Sequence, residues 1–205
     1  MILSIGRYID KKGFLDLIAA CEKLGDRQYE CLIVGQGPME EELRAAATGN
    51  ARIRITGPKP EAEIIDLMAR ASVFALPCVD GDDGGKDNLP TVIMEAMAAA
   101  VPVVSTSIAG VPEMVQDGAT GYLVAPHTPE ALSKRLGDLL DDPSGAKDMG
   151  LAGRRLCEEK FSTERTTGQL RAILARHGAF ESWSGGWLSR LAGRLRSNPP
   201  SRRPG

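Results

Sequence analysis

Short apolar runs alternate with longer segments in which apolar residues recur every three or four positions. The alternation persists from residue 2 to about residue 177. The runs at 2–5, 31–34, 52–56, 72–76, 102–105 and 122–124 predict strands. The segments 12–24, 39–47, 61–70, 90–100, 129–141, 144–160 and 163–177 predict helices. In the first of these, Phe14, Leu17, Ile18 and Cys21 fall on one face. Pro38 suits the start of the second. Strand and helix in regular alternation predict an α/β fold, a doubly wound parallel sheet covered on both faces. Such sheets bind ligands at the carboxyl ends of their strands. The loops 6–12, 35–38, 57–60, 78–88 and 106–112 are therefore the candidate site. No internal repeat is evident.

Composition narrows the function. A chain of 205 residues, 42% hydrophobic and 25% charged, can bury one substantial core and carry a tail. A formal net charge of −2 gives no case for nucleic-acid binding. The four cysteines, Cys21, Cys31, Cys78 and Cys157, are far apart and form no CxxC pair, and only His127 and His177 could assist them. That argues against a zinc site or a disulfide framework and suits the reduced thiols of a cytoplasmic protein. The apolar run before Gly6-Arg7 is too short for a signal core. The most apolar stretch, 92–104, is interrupted by Glu95 and Pro102 and falls short of the ~18 residues of a membrane span.

Two groups of residues carry chemistry. Asp87 and Glu95 are acids with seven residues between them, the first in a loop and the second on the helix that follows. That helix would point its free N–H groups into the crevice, where they can hold a phosphate. Glu95 could accept hydrogen bonds from the vicinal hydroxyls of a ribose or sugar. The plain alternative is a helix cap at Asp87 and a solvated Glu95. Arg7 and Lys12, in Gly6-Arg7 and Lys12-Gly13, could clamp a diphosphate, Arg as a planar fork and Lys as a point charge. Their alternative is two surface cations, although cations are mildly unfavourable at a helix start.

Other motifs carry less. Gly35-x-Gly37 lacks the third glycine of a dinucleotide fingerprint, and Pro38 stands where the turn should continue. No GxxxxGK[ST] occurs. His127 reads as a surface residue, and His177 as a helix end. The acidic loop 81–86 could attract a cation, but a mobile lid or a disordered loop explains it better.

Taken in order, these pieces resemble the C-terminal, donor-binding domain of GT-B retaining glycosyltransferases, the large family 4 also called glycosyl transferases group 1. The resemblance rests on Ile5-Gly6-Arg7, Lys12-Gly13, Val34-Gly35-Gln36-Gly37-Pro38, Ile55-Thr56-Gly57 and the strand ending at Pro77. It continues through Asp87-Asn88-Leu89-Pro90-Thr91 to Glu95, Pro102-Val103-Val104, Gly110-Val111-Pro112-Glu113 and Asp117 to Gly121, and covers roughly 1–175. It implies a Rossmann-like domain that binds a nucleoside-diphosphate sugar with no metal or other cofactor. Arg7 and Lys12 would neutralise the diphosphate as it leaves. Glu95 would hold the ribose and Asp87 would face the donor sugar. Gly6 would sit in the phosphate loop, and Asn88, Leu89 and Thr91 would offer backbone groups. Lys59 matches the position whose backbone meets the nucleobase. The chain departs from the family's commoner Glu-Gly-Phe-Gly at Asp87 to Pro90, where Asn88 adds a side chain beside the expected sugar.

The resemblance also implies an N-terminal acceptor domain or subunit, which this chain lacks. The function expected is thus donor binding for retaining transfer to a carbohydrate or lipid-linked acceptor, the isolated chain being inactive. The alternative is a non-catalytic nucleotide-sugar-binding or interaction module. Residues 1–177 make the expected domain, and 178–205 a basic, partly disordered tail. In the tail Trp183, Trp187, Leu188, Leu191 and Leu195 recur at helical spacing beside Arg190, Arg194 and Arg196. That pattern suits peripheral contact through 183–196 with the inner, cytoplasmic face of a membrane. Packing on an N-terminal domain explains it better, and Gly185, Gly186 and Gly193 weaken a helix there.

Overall fold

A computed structural model describes residues 1–81, 84–85 and 88–176. Asp87, His177, the tail 178–205 and its apolar stripe lie outside the described residues. The chain divides into two compact units, Met1–Glu159 and Lys160–Gly205.

The first unit is built on a parallel sheet of six strands: β1 Ile2–Ile5, β2 Cys31–Val34, β3 Ile53–Thr56, β4 Val73–Leu76, β5 Val103–Thr106 and β6 Gly121–Val124. Their order is β3-β2-β1-β4-β5-β6, so the doubly wound, Rossmann-like arrangement is present. Ile2 stands opposite Cys31 on one side and Val73 on the other. Strands β2 and β4 are buried throughout, which is why their sequence reads as unbroken apolar runs. At the edge, β3 alternates: Ile53 and Ile55 are buried while Arg54 faces outward. Each fully buried side chain such as Leu3, Ile33, Phe74 or Leu76 contributes about 1.5–3 kcal/mol relative to exposure.

The helices are α1 Phe14–Glu22, α2 Glu40–Ala46, α3 Glu61–Arg70, α4 Thr91–Ala98, α5 Val111–Met114, α6 Pro129–Asp141 and α7 Pro143–Phe161. Helix α1 packs against α2 and α6, and α4 packs on β4 and β5. In the second unit α8 spans Thr163–Arg176. Two features differ from the sequence expectation. The first helix starts at Phe14 rather than at residue 12, because Asp10–Lys12 form a 3-10 turn that Gly13 ends with φ +63°. A Cβ on Gly13 would lie 1.8 Å from the Pro77 carbonyl oxygen, so only glycine fits. The loop expected at 106–112 holds the first residues of α5, whose early turn carries Pro112.

Chain order reverses between β1 and β4, the switch point where the crevice of such a sheet opens. Three buried hydroxyls pin β4 and its exit there. Ser4 donates to the Ala75 carbonyl from the β1 side. Ser105 donates to the Leu76 carbonyl at 2.6 Å from the β5 side, and Thr106 donates to the Cys78 carbonyl.

Candidate functional site

The loop after β1 carries both candidate cations on one frame. The Gly6 N–H donates to the Val34 carbonyl at 3.1 Å, and the Tyr8 N–H to the Gln36 carbonyl at 2.9 Å. These bonds continue the β1–β2 ladder on both sides of Arg7. Five residues on, the 3-10 turn closes with Lys12 N–H on the Ile9 carbonyl at 3.2 Å. It is held to the exit of β4 by the Val79 N–H, which donates to the Lys11 carbonyl at 3.0 Å. The stem of Lys12 lies over Gly6: a Cβ placed on Gly6 would sit 3.3 Å from Lys12 Cε and 3.4 Å from Phe14 Cζ. The two positions thus share one floor. Arg7 is exposed, and among the described residues it makes no ion pair.

Beside this floor opens a cleft of about 220 Å³, lined by Gly6, Arg7, Gln36, Pro58, Lys59 and Ile64 among others. Three of the sequence candidates, Gly6, Arg7 and Lys59, therefore come together although they lie in two separate loops. The Lys59 ammonium is taken up by Glu63 at 2.8 Å, one turn along α3.

Glu95 is exposed on α4 and lines an adjoining groove of about 400 Å³ with Glu61, Ile64, Ile65 and Met68. Ile64 is common to the groove and the cleft. Thr91 opens α4 behind Pro90, with no side-chain cap and no acid in the first turn. The first turns of α2 and α3 carry Glu40, Glu41 and Glu42, and Glu61 and Glu63. The positive end of α4 is thus left without the neutralisation that α2 and α3 have. Asn88 and Leu89 precede it and are exposed.

Their position depends on Gly110, which the sequence gives only as a letter of the Gly110-Val111-Pro112-Glu113 motif. The Gly110 N–H donates to the Asn88 carbonyl at 3.0 Å, and a Cβ on Gly110 would lie 2.4 Å from that oxygen. Tyr8, which is not among the sequence candidates, is fully buried beneath the cation loop, its ring edge-on to Phe14 at 5.7 Å. Nothing in the local pattern at Tyr8 itself signals a role. The Gly-x-Gly spacing at 35–37 was the available hint for Tyr8, because glycine is needed where another backbone passes closely.

The larger cavity, about 460 Å³, holds none of the sequence candidates. Its rim carries Asp10, Asp16, Glu42 and Asp80, an acidic lining that would repel a diphosphate. His127 also borders it, with φ +56° and Nδ1 3.5 Å from an oxygen of Asp16. Among the described residues no helix is long and apolar enough to cross a membrane.

Comparison with known proteins bears on the whole arrangement. The family model "Glycosyl transferases group 1" matches residues 1–156. The amylovoran biosynthesis glycosyltransferase AmsK of Erwinia amylovora is 33% identical over 180 residues, covering 85% of this chain and 44% of that protein. A GDP-mannose-dependent phosphatidylinositol monomannoside mannosyltransferase of Mycolicibacterium smegmatis is 34% identical over 181 residues, covering 85% and 47%. Among solved structures, Anabaena Alr3699/HepE in complex with UDP-glucose superposes with TM-score 0.74 at 22% identity, over 85% of this chain and 48% of that one. The C-terminal domain of the group 1 glycosyl transferase LpcC from Francisella tularensis superposes with TM-score 0.69 at 20% identity, over 79% and 86%. At such identities these structures show the fold alone. The chain spans about half the length of the curated relatives it matches.

Proposed function

Because the chain belongs to the glycosyl transferases group 1 family, we propose that the cleft at Gly6, Arg7 and Lys59 binds the nucleoside-diphosphate part of a sugar donor. The observation that carries this is Arg7: an exposed cation, unpaired among the described residues, in the same cleft as Lys59 and over the same floor as Lys12. The base would lie against the Lys59 backbone, the ribose hydroxyls on Glu95 and the diphosphate between Arg7, Lys12 and the start of α4. Asp87, Asn88, Leu89 and Thr91 would surround the sugar.

In transfer, the bond from the anomeric carbon to the β-phosphate oxygen breaks, and the nucleoside diphosphate leaves with the electron pair. The acceptor oxygen bonds to the anomeric carbon on the same face and gives its proton to the departing phosphate oxygen. Arg7 and Lys12 stabilise the negative charge that grows on the leaving phosphate, without a metal. No residue of the described site stands out as a covalent nucleophile. The acceptor, a carbohydrate or a lipid-linked carbohydrate, would be held by a further domain or subunit. The relatives act in polysaccharide biosynthesis and on a phosphatidylinositol mannoside, which supports that class. Four free cysteines suit a cytoplasmic setting. The tail 183–196 would supply any contact with the inner membrane face.

Alone, the 205 residues should turn over little or no donor, since positioning the acceptor can supply ~7–11 kcal/mol of the barrier. The half-length match to relatives favours, as a second reading, a donor-binding module without catalysis. Sustained transfer by the purified chain would overturn both statements. Calorimetry with UDP, GDP and ADP in EDTA tests the central proposal. Binding without metal is expected for at least one. Binding that requires magnesium or manganese, or none at all, would refute it.

A further inference from the structure

The Tyr8 side chain reaches beneath the loop after β2 and ends between two strands. Its hydroxyl donates to the Ile33 carbonyl of β2 at 3.0 Å and lies equally within bonding reach of the Thr56 carbonyl of β3. The Thr56 carbonyl also accepts from the Gly35 N–H at 3.2 Å. At the backbone, Tyr8 N–H donates to the Gln36 carbonyl, and the Met39 N–H donates to the Tyr8 carbonyl at 3.1 Å. One residue therefore ties the exits of β2 and β3 to the residue that follows Arg7.

The glycines around it are cut to this path. A Cβ on Gly35 would stand 1.9 Å from the Gly6 carbonyl oxygen and 3.0 Å from Tyr8 Cε1. One on Gly37 would stand 2.5 Å from the Tyr8 carbonyl oxygen and 2.8 Å from its nitrogen. The Gly-x-Gly here admits the protein's own backbone. Gly6, Arg7, Gly35 and Gln36, the residues so joined, line the cleft together with Lys59.

We propose that Tyr8 is the positioning residue of this site: it holds Arg7 in register with the base side of the cleft, so that one ligand spans both. The inference rests on the reading of the cleft as a nucleoside-diphosphate site. Tyr8 touches no ligand; it acts through Arg7. Its contribution should therefore appear in the diphosphate part of the affinity and vanish when Arg7 is gone.

The test measures affinities of the full 205-residue chain for UDP and uridine, GDP and guanosine, and ADP and adenosine. The ratio of diphosphate to nucleoside affinity is the readout, because general loosening of the fold lowers both affinities alike. Tyr8→Phe removes only the hydroxyl and should cut that ratio about fivefold. Made in Arg7→Ala, it should produce no further cut. Gly37→Ala displaces the Tyr8 backbone without touching the hydroxyl and should reproduce the loss, which keeps the proposal testable if Tyr8→Phe does not fold. An unchanged ratio in a folded variant, or equal cuts with and without Arg7, overturns the role of Tyr8 and leaves the cleft reading intact. Failure of the unmodified chain to bind any of the three diphosphates overturns both.

Discussion

Gly110 donates its backbone N–H to the Asn88 carbonyl at 3.0 Å, and the gap between them has no room for a Cβ. The segment ahead of α5 is thereby the support for the segment ahead of α4. Gly110 has φ −83°, so alanine could adopt its conformation, and the obstacle is contact alone. Gly110→Ala should push Asn88 and Leu89 aside at a cost of about 1–3 kcal/mol. Expected are a lower melting temperature and weaker binding of nucleotide sugars, with nucleoside binding little changed. Equal weakening of nucleoside and nucleotide sugar would remove Gly110 from the sugar side of the site.

Arg7→Ala should weaken nucleoside-diphosphate binding by ~1.5–3 kcal/mol, the range of a charge-assisted hydrogen bond. Nucleoside binding should stay as it is, because the rest of the cleft survives. Titration of both ligands with both proteins decides it. A uniform loss would set Arg7 away from the phosphates.

Glu95 faces the groove beyond Ile64, where a ribose extending from the cleft would lie. The 2′- and 3′-deoxy nucleotides should bind the native chain less well than the ribonucleotide. Glu95→Gln should abolish most of that difference, since a neutral amide accepts a hydroxyl proton less strongly than a carboxylate. A penalty that survives the substitution would return Glu95 to a solvated helix position.

Tyr8 gives a pH signature. Burial, with the nearby charge of Glu40 adding to it, pushes the phenol up to about 12 from the usual 10.0. A group whose folded value is raised stabilises the fold fully below its unfolded value and loses that contribution as pH rises through the folded one. The Tyr8 contribution should thus be intact below pH 10 and disappear between pH 10 and about 12. Phenolate absorbance followed through alkaline titration should show two late-titrating tyrosines in the native chain, because burial also pushes up the Tyr29 phenol. Tyr8→Phe should remove one of the two late steps and flatten the loss of stability across the same window. A titration curve in which both late steps persist would take Tyr8 out of the assignment.

Much of this protein is written in local pattern. Strands such as Cys31–Val34 and Val73–Leu76 are apolar because both of their faces are covered, so sequence alone locates them and implies a doubly wound sheet. The order of motifs from Gly6-Arg7 to Gly121 carries the family. What the sequence could not determine is which distant backbones meet. Gly13 must be glycine because the Pro77 carbonyl occupies the space of its Cβ, and Gly37 because the Tyr8 backbone does. Gly110 was a motif letter until Asn88 stood against it. The start of α1, two residues later than its periodicity suggests, follows from the same crowding at Gly13. Lys59 is expected from sequence to meet the base with its backbone; that its ammonium pairs with Glu63 at the edge of the cleft is a tertiary fact. Periodicity records what each residue buries. Only the order β3-β2-β1-β4-β5-β6, which sets β1 between β2 and β4, decides which loops pass within an atom's width of one another.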